Sequence, residues 1–256
     1  MIAMKYRLLI LLVSALLVQA CGSEPVVRGN PEKALDDYVQ LGLGYLSSGN
    51  KDQARKNLLR ALEIDSSSIV ANNAIALLYQ SEGEMALAER HFKFVLDKDR
   101  KFSQGRNNYA RFLYFEGRTE EARNQYRLVT EDVNYRLRTQ AFIGLALSEK
   151  SLGNTGAAEA ALQRSISLNP RTGAAVIELA QLKMEQKDYV TAKGYLDRYE
   201  NLGRPSPRSL KIGLDLADKF GDEDQQASYS MALKNMFPDS RETRELILSE
   251  RSGEIE

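Results

Sequence analysis

Small apolar residues recur at a fixed interval along the chain. Ala54, Ala88 and Ala122 stand 34 residues apart, and Ala158 and Ala192 continue the series after one slip of two residues. A large apolar residue follows each of the first three alanines by four positions, on the same helical face: Leu58, Phe92 and Tyr126. Glycines with the same step mark turns, since glycine readily adopts the left-handed conformation that ends a helix: Gly49, Gly83 and Gly117. The pattern predicts pairs of amphipathic helices joined by glycine turns.

The interval of 34 residues identifies the repeating unit. It is the period of the tetratricopeptide repeat, a helix-turn-helix unit whose neighbouring copies stack on one another. The frame places repeats at 35–68, 69–102, 103–136, 139–172, 173–206 and 207–240, within a repeat region of 31–240. We therefore expect an all-α fold, a tetratricopeptide-repeat superhelix of about six repeats with a concave binding groove. Such a scaffold holds a partner rather than turning over a substrate.

Small residues also stand where the two helices of a repeat are expected to cross. Small side chains at these positions let the two backbones approach closely. The expected pairs are Gly42 with Ala54, Ala76 with Ala88, and Ala110 with Ala122. Three residues further along the first helix of each repeat, a large residue is expected to fill the space between neighbouring hairpins. These residues are Tyr45, Tyr79 and Leu113.

The repeat pattern weakens towards the C-terminus. Two extra residues near Tyr135 to Arg138 lengthen either the third inter-repeat connection or the second helix of that repeat. Polar residues replace the expected apolar, small or glycine residues in the last three repeats: Glu149, Lys183, Lys187, Gln226 and Ser230. A polar last repeat suits the terminal hairpin, which faces water on one side. The charged tail, 241–256, is expected to add a helical turn or two and then fray.

The first residues have the composition of an export signal. Two basic residues precede an almost unbroken apolar run from Leu8 to Val18, which is shorter than the ~20 apolar residues of a membrane-spanning helix. We assign 1–20 to a lipoprotein signal peptide and 21–30 to a linker. Asn30-Pro31 is expected to start the first helix, with a capping side chain before a proline at the first helical position.

Cys21 is the only cysteine, and the residues before it resemble a bacterial lipobox. Val18 is the aliphatic residue three positions before the cysteine, and Ala20 is the small residue directly before it. The resemblance implies cleavage before Cys21, a lipid thioether on its sulfur and acylation (as with palmitate) of the new amine, which together anchor a protein stably. A free thiol and an uncleaved signal anchor are the alternatives. Because Gly22 stands where aspartate retains such proteins at the inner membrane, we expect outer-membrane anchoring with the repeats in the periplasm.

Charge and residue counts exclude several classes of function. Without Lys5 and Arg7, 33 of the 35 basic residues remain against 35 acidic ones, and no basic stripe offers a footprint for nucleic acid. One histidine and one cysteine are too few for a protein zinc site. That histidine, His91, is expected on the solvated surface outside the groove. We find no acid–base or nucleophile arrangement, and therefore expect no enzyme, no cofactor, no metal and no small-molecule substrate.

The first helix of each repeat is expected to line the groove. The groove positions in the first three repeats hold Val39, Leu43, Leu46, Asn73, Leu77, Asn107, Arg111, Tyr114 and Phe115. Since many are apolar, we expect residues such as Leu43 and Leu77 to be exposed in the isolated protein and covered by an apolar or amphipathic partner segment. The alternative is that another helix of the chain, such as the tail, covers them. Equivalent positions of the fourth and fifth repeats are more polar: Lys150, Glu178, Gln181 and Glu185.

A lipobox followed by six such repeats resembles the PilF/PilW family of type IV pilus biogenesis lipoproteins. The stretches Ala34–Leu46 and Asn107–Leu113 strengthen the resemblance, which covers the whole chain. It implies a pilotin, which binds the pilus secretin and promotes its outer-membrane localisation and multimerisation, without nucleotide or metal. The alternative is a lipoprotein scaffold for outer-membrane β-barrel assembly or for cell-wall synthases, which combines the same elements.

Overall fold

A computed structural model describes residues 30–253, and within that range thirteen α-helices and no strand are present. The expected signal peptide, Cys21 and the linker up to residue 29 lie outside the described residues. The helices are α1 (Pro31–Ser47), α2 (Lys51–Ile64), α3 (Ile69–Glu82), α4 (Met85–Lys98), α5 (Ser103–Phe115), α6 (Thr119–Glu131), α7 (Arg138–Ser151), α8 (Thr155–Leu168), α9 (Gly173–Glu185), α10 (Tyr189–Glu200), α11 (Pro207–Phe220), α12 (Glu223–Met236) and α13 (Arg241–Gly253). The expected all-α fold of helix-turn-helix repeats is confirmed.

The chain divides into two compact units, one up to Ala71 and the other from Asn72. In the first unit, α1 packs against α2. At their crossing, a Cβ added to Gly42 would lie 2.6 Å from Cδ2 of Leu58, so only glycine allows this approach. The start of α1 follows the sequence expectation, because the Asn30 side chain accepts a hydrogen bond of 3.0 Å from the Glu32 amide and Pro31 is the first helical residue.

In the second unit, each helix from α4 to α13 packs against the next along the chain. The small residues at the helix crossings and the large residues four positions after the second-helix alanines are buried. They are Ala76, Ala88, Ala110, Ala122, Ala146, Ala158, Ala180 and Ala192, with Phe92, Tyr126, Leu162 and Leu196. The core around α4 to α6 is aromatic, since the Phe92 ring lies 5.5 Å from Phe112 and 5.8 Å from Tyr109. The alanine series therefore marks buried positions where the helices pack together.

Five of the tight turns between paired helices contain glycine in the left-handed conformation: Gly49, Gly83, Gly117, Gly153 and Gly221. In the fifth repeat the same position is Lys187, which has a φ of 61°. The fifth repeat thus keeps the left-handed turn although lysine replaces the glycine. A side chain with a Cβ in this conformation is strained, so the packing of α9 against α10 must hold the turn in place.

The two extra residues of the third repeat lie in a connection, because α6 ends at Glu131 and α7 begins at Arg138. The sequence left open whether they lengthen the connection or the helix. Asp132 organises the connection, accepting hydrogen bonds from Ser103 Oγ (2.5 Å) and from the Asn134 amide (3.0 Å). Arg138 Nε closes it by donating to the Thr130 carbonyl at 2.7 Å.

The C-terminal segment is more ordered than its charge suggested. Residues 241–253 form α13, which packs against α11 and α12, so the expectation of a short helical turn followed by fraying was wrong. Leu246 is buried in a cluster with Leu210 and Leu233. Thr243 is also buried, and its hydroxyl donates to the Phe237 carbonyl at 2.7 Å. Although the segment is mostly charged, its few apolar residues, such as Leu246, pack α13 against the rest of the second unit.

Candidate partner-binding surfaces

One face of α1 carries exposed apolar residues, and we call it the α1 patch. Its members are spaced three and four residues apart along the helix and line a pocket of about 660 Å³: Asp37, Gln40, Leu41, Gly44, Tyr45 and Ser48. Leu41 is 50% exposed and Tyr45 is 36% exposed. Because α1 also buries Leu35, Val39 and Gly42 on another stripe, it has two apolar faces, only one of which is covered.

Residues equivalent to Leu41 in later repeats are buried. Ile75 and Tyr109 stand 34 and 68 residues after Leu41, and both are almost fully buried. Tyr109 is covered by the preceding helix, since its ring lies against Phe92 of α4 and its hydroxyl donates to Glu89 Oε1 at 2.9 Å. In the third repeat, the side chain at this position is covered by a neighbouring helix. The α1 patch carries equivalent side chains and is therefore suited to contact with a helix.

The first-repeat groove residues were predicted on a different stripe of α1. Val39 is only 1% exposed, so the prediction that it lies on an accessible surface was wrong. Leu43 and Leu46 are half-buried rather than exposed. The repeat frame predicted Tyr45 between hairpins and assigned no role to Leu41. The sequence signal for this face was the large apolar residue that recurs at the 34-residue interval: Leu41, Ile75 and Tyr109.

The groove residues predicted on α3 are partly structural. Asn73 is buried, and its Oδ1 accepts a hydrogen bond of 3.1 Å from Nδ2 of Asn108, which is also buried. The prediction of an accessible Asn73 was therefore wrong, because this amide pair satisfies polar groups between two helices. Leu77 is half-buried and packs against the aromatic core cluster, so it also contributes to stability.

The groove residues predicted on α5 are the most accessible. Asn107, Arg111 and Phe115 follow one another at one-turn spacing, and we call them the α5 stripe. Arg111 is exposed, and Phe115 is 71% exposed. Beside them the half-buried Tyr114 stacks edge-on against Phe115 and places its hydroxyl 3.2 Å from Ser151 Oγ of α7. The structure thus brings this predicted set together on one side of α5.

The charge of Arg111 influences the pKa values of two tyrosines, Tyr126 and Tyr135. Burial raises the pKa of Tyr126 to about 12, and the positive charge of Arg111 opposes part of that rise. Burial also raises the pKa of Tyr135, again opposed by Arg111. The Tyr126 ring packs on the backbone at Gly144, where an added Cβ would lie 2.3 Å from Cζ. Arg111 is therefore within electrostatic range of the buried Tyr126 and the half-buried Tyr135.

The charged residues around His91 serve packing. His91 is half-buried, stacks on Tyr79 and lies 2.8 Å from Asn72 Oδ1 through its Nδ1, so the expected solvated position was wrong. Burial, together with the charge of Arg90, lowers its pKa. Nearby, Glu89 accepts hydrogen bonds from both the Tyr109 hydroxyl and Arg118. These contacts fix helices relative to one another.

The charged groove positions of the fourth and fifth repeats form ion pairs. Lys150 bonds Glu185 at 2.7 Å, and Arg208 forms a two-point ion pair with Glu178. Lys150, Glu185 and Arg208 line a pocket of about 470 Å³, and residues of α13, among them Glu242, line it as well. The helix contacts of α13 in the described part of the chain are with α11 and α12. The tail therefore adjoins the polar positions of the fourth and fifth repeats.

Two further features concern only the part of the chain that the structure describes. No helix between residues 30 and 253 combines the length and apolarity needed to cross a membrane. Among the same residues, no cluster of three or more histidine, cysteine or acidic side chains is placed to hold a metal ion.

Known proteins resemble this chain in fold and over most of its length. Family models described as tetratricopeptide repeat match residues 38–68 and 143–208. The chain is 37% identical over 214 residues to the type IV pilus assembly protein PilF of Pseudomonas aeruginosa, spanning 84% of this chain and 85% of that protein. A solved structure of Pseudomonas aeruginosa PilF matches with a TM-score of 0.77 and 36% identity, over 86% of this chain and all of the other. PilW, described as a widely conserved type IV pilus biogenesis factor, matches with a TM-score of 0.76 and 25% identity, over 83% and 98%.

Proposed function

Since the chain belongs to the PilF/PilW family of tetratricopeptide-repeat proteins of type IV pilus biogenesis, we propose that it is an outer-membrane pilotin. In this proposal it binds the pilus secretin and promotes secretin localisation and multimerisation in the outer membrane. The repeats act as a scaffold, and no chemical step, nucleotide or metal takes part.

The observation that carries the proposal is the α1 patch. Leu41 and Tyr45 are exposed on a stripe whose equivalents, Ile75 and Tyr109, are buried. Tyr109 is buried by an amphipathic helix, α4, so the surface complementary to the α1 patch is the apolar face of a helix. We infer that an amphipathic segment of the secretin takes this place. Shielding such a segment during transit keeps it from aggregating before the secretin ring assembles.

The lipid on Cys21 supplies the second part of the mechanism. Cys21 follows the lipobox-like sequence Val18-Gln19-Ala20 and precedes α1 by only a short linker. Acyl chains anchor the protein to the membrane, and α1 then lies close to the anchor along the chain. A secretin segment bound at α1 would be carried to the membrane in which the ring forms.

Replacing Leu41 by Asp tests the docking surface. Leu41 is half-exposed, so the substitution should leave the folded protein nearly as stable, within about 0.5 kcal/mol. A partner that covers this position would enclose an unpaired carboxylate, and co-purification of secretin with the protein should fall strongly. Leu59→Asp is the matched control, because Leu59 on α2 is 42% exposed and lies outside the patch. Normal secretin multimers with Leu41→Asp would rule out this surface.

Deleting the gene tests the proposed function itself. Loss of surface pili and of secretin multimers, with normal amounts of other outer-membrane proteins, is the expected result. Lowered porin levels would instead indicate a scaffold for β-barrel assembly, and altered septation would indicate a scaffold for cell-wall synthases.

A further inference from the structure

The connections between the helix hairpins of the second unit are rich in basic residues. Five basic and two acidic residues lie in the four connections that join these hairpins: 99–102, 132–137, 169–172 and 201–206. The turns within the hairpins have the opposite balance. Two basic and four acidic residues lie in these turns: 83–84, 116–118, 152–154, 186–188 and 221–222. The two sets of loops therefore differ in the sign of their charge.

The two sets of loops lie at opposite ends of the helices. Helices joined by such short loops run antiparallel, so the connections share one end of the stacked hairpins and the turns share the other. Neighbouring connections meet, since Lys101 and Arg136 line one pocket of about 590 Å³. Arg198, close to the connection at 201–206, donates to the carbonyl of Pro170 at 3.0 Å. We call this end of the second unit the connection edge.

The basic side chains of the connection edge are exposed. The structure gives none of them an ion pair or a side-chain hydrogen bond with another residue between 30 and 253: Arg100, Lys101, Arg136, Arg171 and Arg204. The two acidic side chains are half-buried and turn back onto the chain. Asp99 accepts a hydrogen bond of 2.8 Å from the Lys101 amide, and Asp132 accepts one of 3.0 Å from the Asn134 amide. The charge presented to solvent is therefore mainly positive.

Exposed apolar side chains lie among these charges. Val133 is 71% exposed and Leu137 is 45% exposed, and both belong to the connection that carries the two extra residues. At the turn end, Val190 is 77% exposed, so charge rather than apolarity distinguishes the two ends. Basic residues interleaved with exposed apolar side chains suit an anionic lipid surface. The basic residues attract the phosphates, and the apolar side chains enter the boundary between headgroups and acyl chains.

The proposed lipid anchor lies close to the first helix along the chain. Residues 22–30 separate Cys21 from Pro31. Even a fully extended segment of this length spans only roughly 35 Å, so an anchored chain is held beside the bilayer. The attraction between a basic surface and anionic headgroups acts within about 8 Å at physiological salt. Of the two ends of the second unit, the connection edge is the one that such a surface attracts.

We propose that the connection edge docks on anionic phospholipids of the membrane that holds the lipid of Cys21. Lys101 and Arg136 contact lipid phosphates, and Val133 and Leu137 enter the headgroup region. The inference rests on the proposed function, because the lipid anchor supplies the membrane, and it adds the face that the second unit turns towards that membrane. The acidic turn end then faces away from the lipid.

A fluorescent label at one position reports whether that position contacts a bilayer. The chain from residue 22 retains every described helix and lacks Cys21, so Val133→Cys provides a single cysteine for labelling. A hexahistidine tag before residue 22 holds this protein on vesicles of phosphatidylglycerol and phosphatidylcholine in equal amounts with a nickel-chelating lipid. Val190→Cys is the matched control, because Val190 is similarly exposed but lies at the turn end.

A quencher attached to the lipid headgroups should quench the label at position 133 at least about twofold more strongly than the label at position 190. The difference should disappear on vesicles without phosphatidylglycerol and in high salt, which screens the attraction. Lys101→Gln combined with Arg136→Gln should remove most of the quenching at position 133. Arg90→Gln combined with Lys187→Gln removes two exposed charges outside the connections and should retain it.

The opposite results overturn the proposal. Equal quenching at positions 133 and 190 would show that neither end faces the bilayer preferentially. Unchanged quenching without phosphatidylglycerol would exclude recognition of anionic lipid, and an equal loss in both double variants would assign the effect to overall charge. No quenching at either position would exclude the membrane and leave an acidic protein as the partner of this edge. Because the tag replaces the lipid, these results concern the connection edge alone, whereas Cys21→Ser in cells tests the proposed anchor.

Discussion

Single residues without a side chain decide how closely the helices of this protein approach. At Gly144 of α7 an added Cβ would lie 2.3 Å from Cζ of Tyr126, and at Gly213 of α11 it would lie 2.5 Å from Cζ of Tyr229. In both places a tyrosine ring lies on the bare backbone of a neighbouring helix. The ring cannot retreat without disturbing the rest of the core, since protein interiors are packed as densely as organic crystals.

Gly144→Ala should destabilise the protein, although alanine is the better helix former. Overfilling a packed contact costs about 1–3 kcal/mol, against a gain of about 1 kcal/mol in helix propensity. Gly194→Ala in α10 is the control, because an added Cβ there meets nothing within 4 Å, and it should stabilise by about 0.5–1 kcal/mol. Urea unfolding of both variants gives the comparison. Equal effects in the two variants would contradict the contact at Gly144.

Lys187→Gly should stabilise the protein. The lysine has a φ of 61° in the turn between α9 and α10, a conformation that costs a non-glycine residue roughly 1–2 kcal/mol. Part of the gain is offset by the greater freedom of glycine in the unfolded chain, which leaves a net gain of about 0.5–1 kcal/mol. The reverse change, Gly153→Ala at a φ of 80°, should destabilise by a similar amount. Thermal unfolding of the pair tests both signs.

At the scale of helices, one carboxylate joins two hairpins of the second unit. Glu89 on α4 accepts hydrogen bonds from Tyr109 on α5 and from Arg118, which directly precedes α6. Burial alone would raise the pKa of Glu89, but hydrogen bonds from Arg118, Lys93 and Tyr109 outweigh it and lower the pKa to about 2. Three helices are therefore tied to the charge of one side chain.

The stabilisation by Glu89 should be lost in acid. Its pKa is lower in the folded protein than its ordinary value of 4.5, so the stabilisation is complete above that pH and disappears as the pH falls to about 2. Glu89→Gln should cost about 1–2 kcal/mol at pH 7, allowing for partial exposure of the site, and almost nothing at pH 2. Tyr109→Phe should show a smaller part of the same pH-dependent loss. Urea unfolding at pH 7, 5 and 3 measures it, and a loss that is constant with pH would contradict the assignment.

At the scale of the whole molecule, three separate parts of the chain differ in the chemistry that they offer to other molecules. The α1 patch offers an apolar face, the α5 stripe offers polar and aromatic groups, and Cys21 is the proposed lipidation site. The fourth and fifth repeats, whose groove positions are paired in ion pairs, offer fewer free groups. Because the α1 patch and the α5 stripe lie on different helices, we expect that each can be altered separately.

Cys21→Ser should separate anchoring from folding. The first helix begins at Pro31, so the variant should keep an unchanged circular dichroism spectrum while it leaves the membrane fraction. In the proposed function, secretin would then remain with the inner membrane. Cell fractionation with antibodies against both proteins measures this. Normal outer-membrane secretin in the variant strain would contradict the role of the lipid in transit.

Some of the fold could be predicted because it depends on contacts that recur in every repeat. The pairing of small residues such as Ala110 and Ala122 and the glycine turns are properties of one hairpin, and a 34-residue period displays them several times over. The candidate site was predicted less well. Arg111, Tyr114 and Phe115 lie on one side of α5, but Val39 and Asn73 are buried. Helical periodicity gives the direction of a side chain, whereas its exposure depends on what packs against that side.

The sequence by itself determined the repeat architecture, the helix start at Asn30-Pro31 and the resemblance to a lipoprotein family, because each depends on local residue patterns. Only the tertiary structure decided which faces remain open. Leu41 and Ile75 occupy equivalent positions, yet one is exposed and the other is buried. The charged segment from Arg241 is a docked helix because Leu246 meets Leu210 and Leu233. Burial is a property of pairs of surfaces, and similar residues at equivalent positions differ in exposure when their neighbours differ.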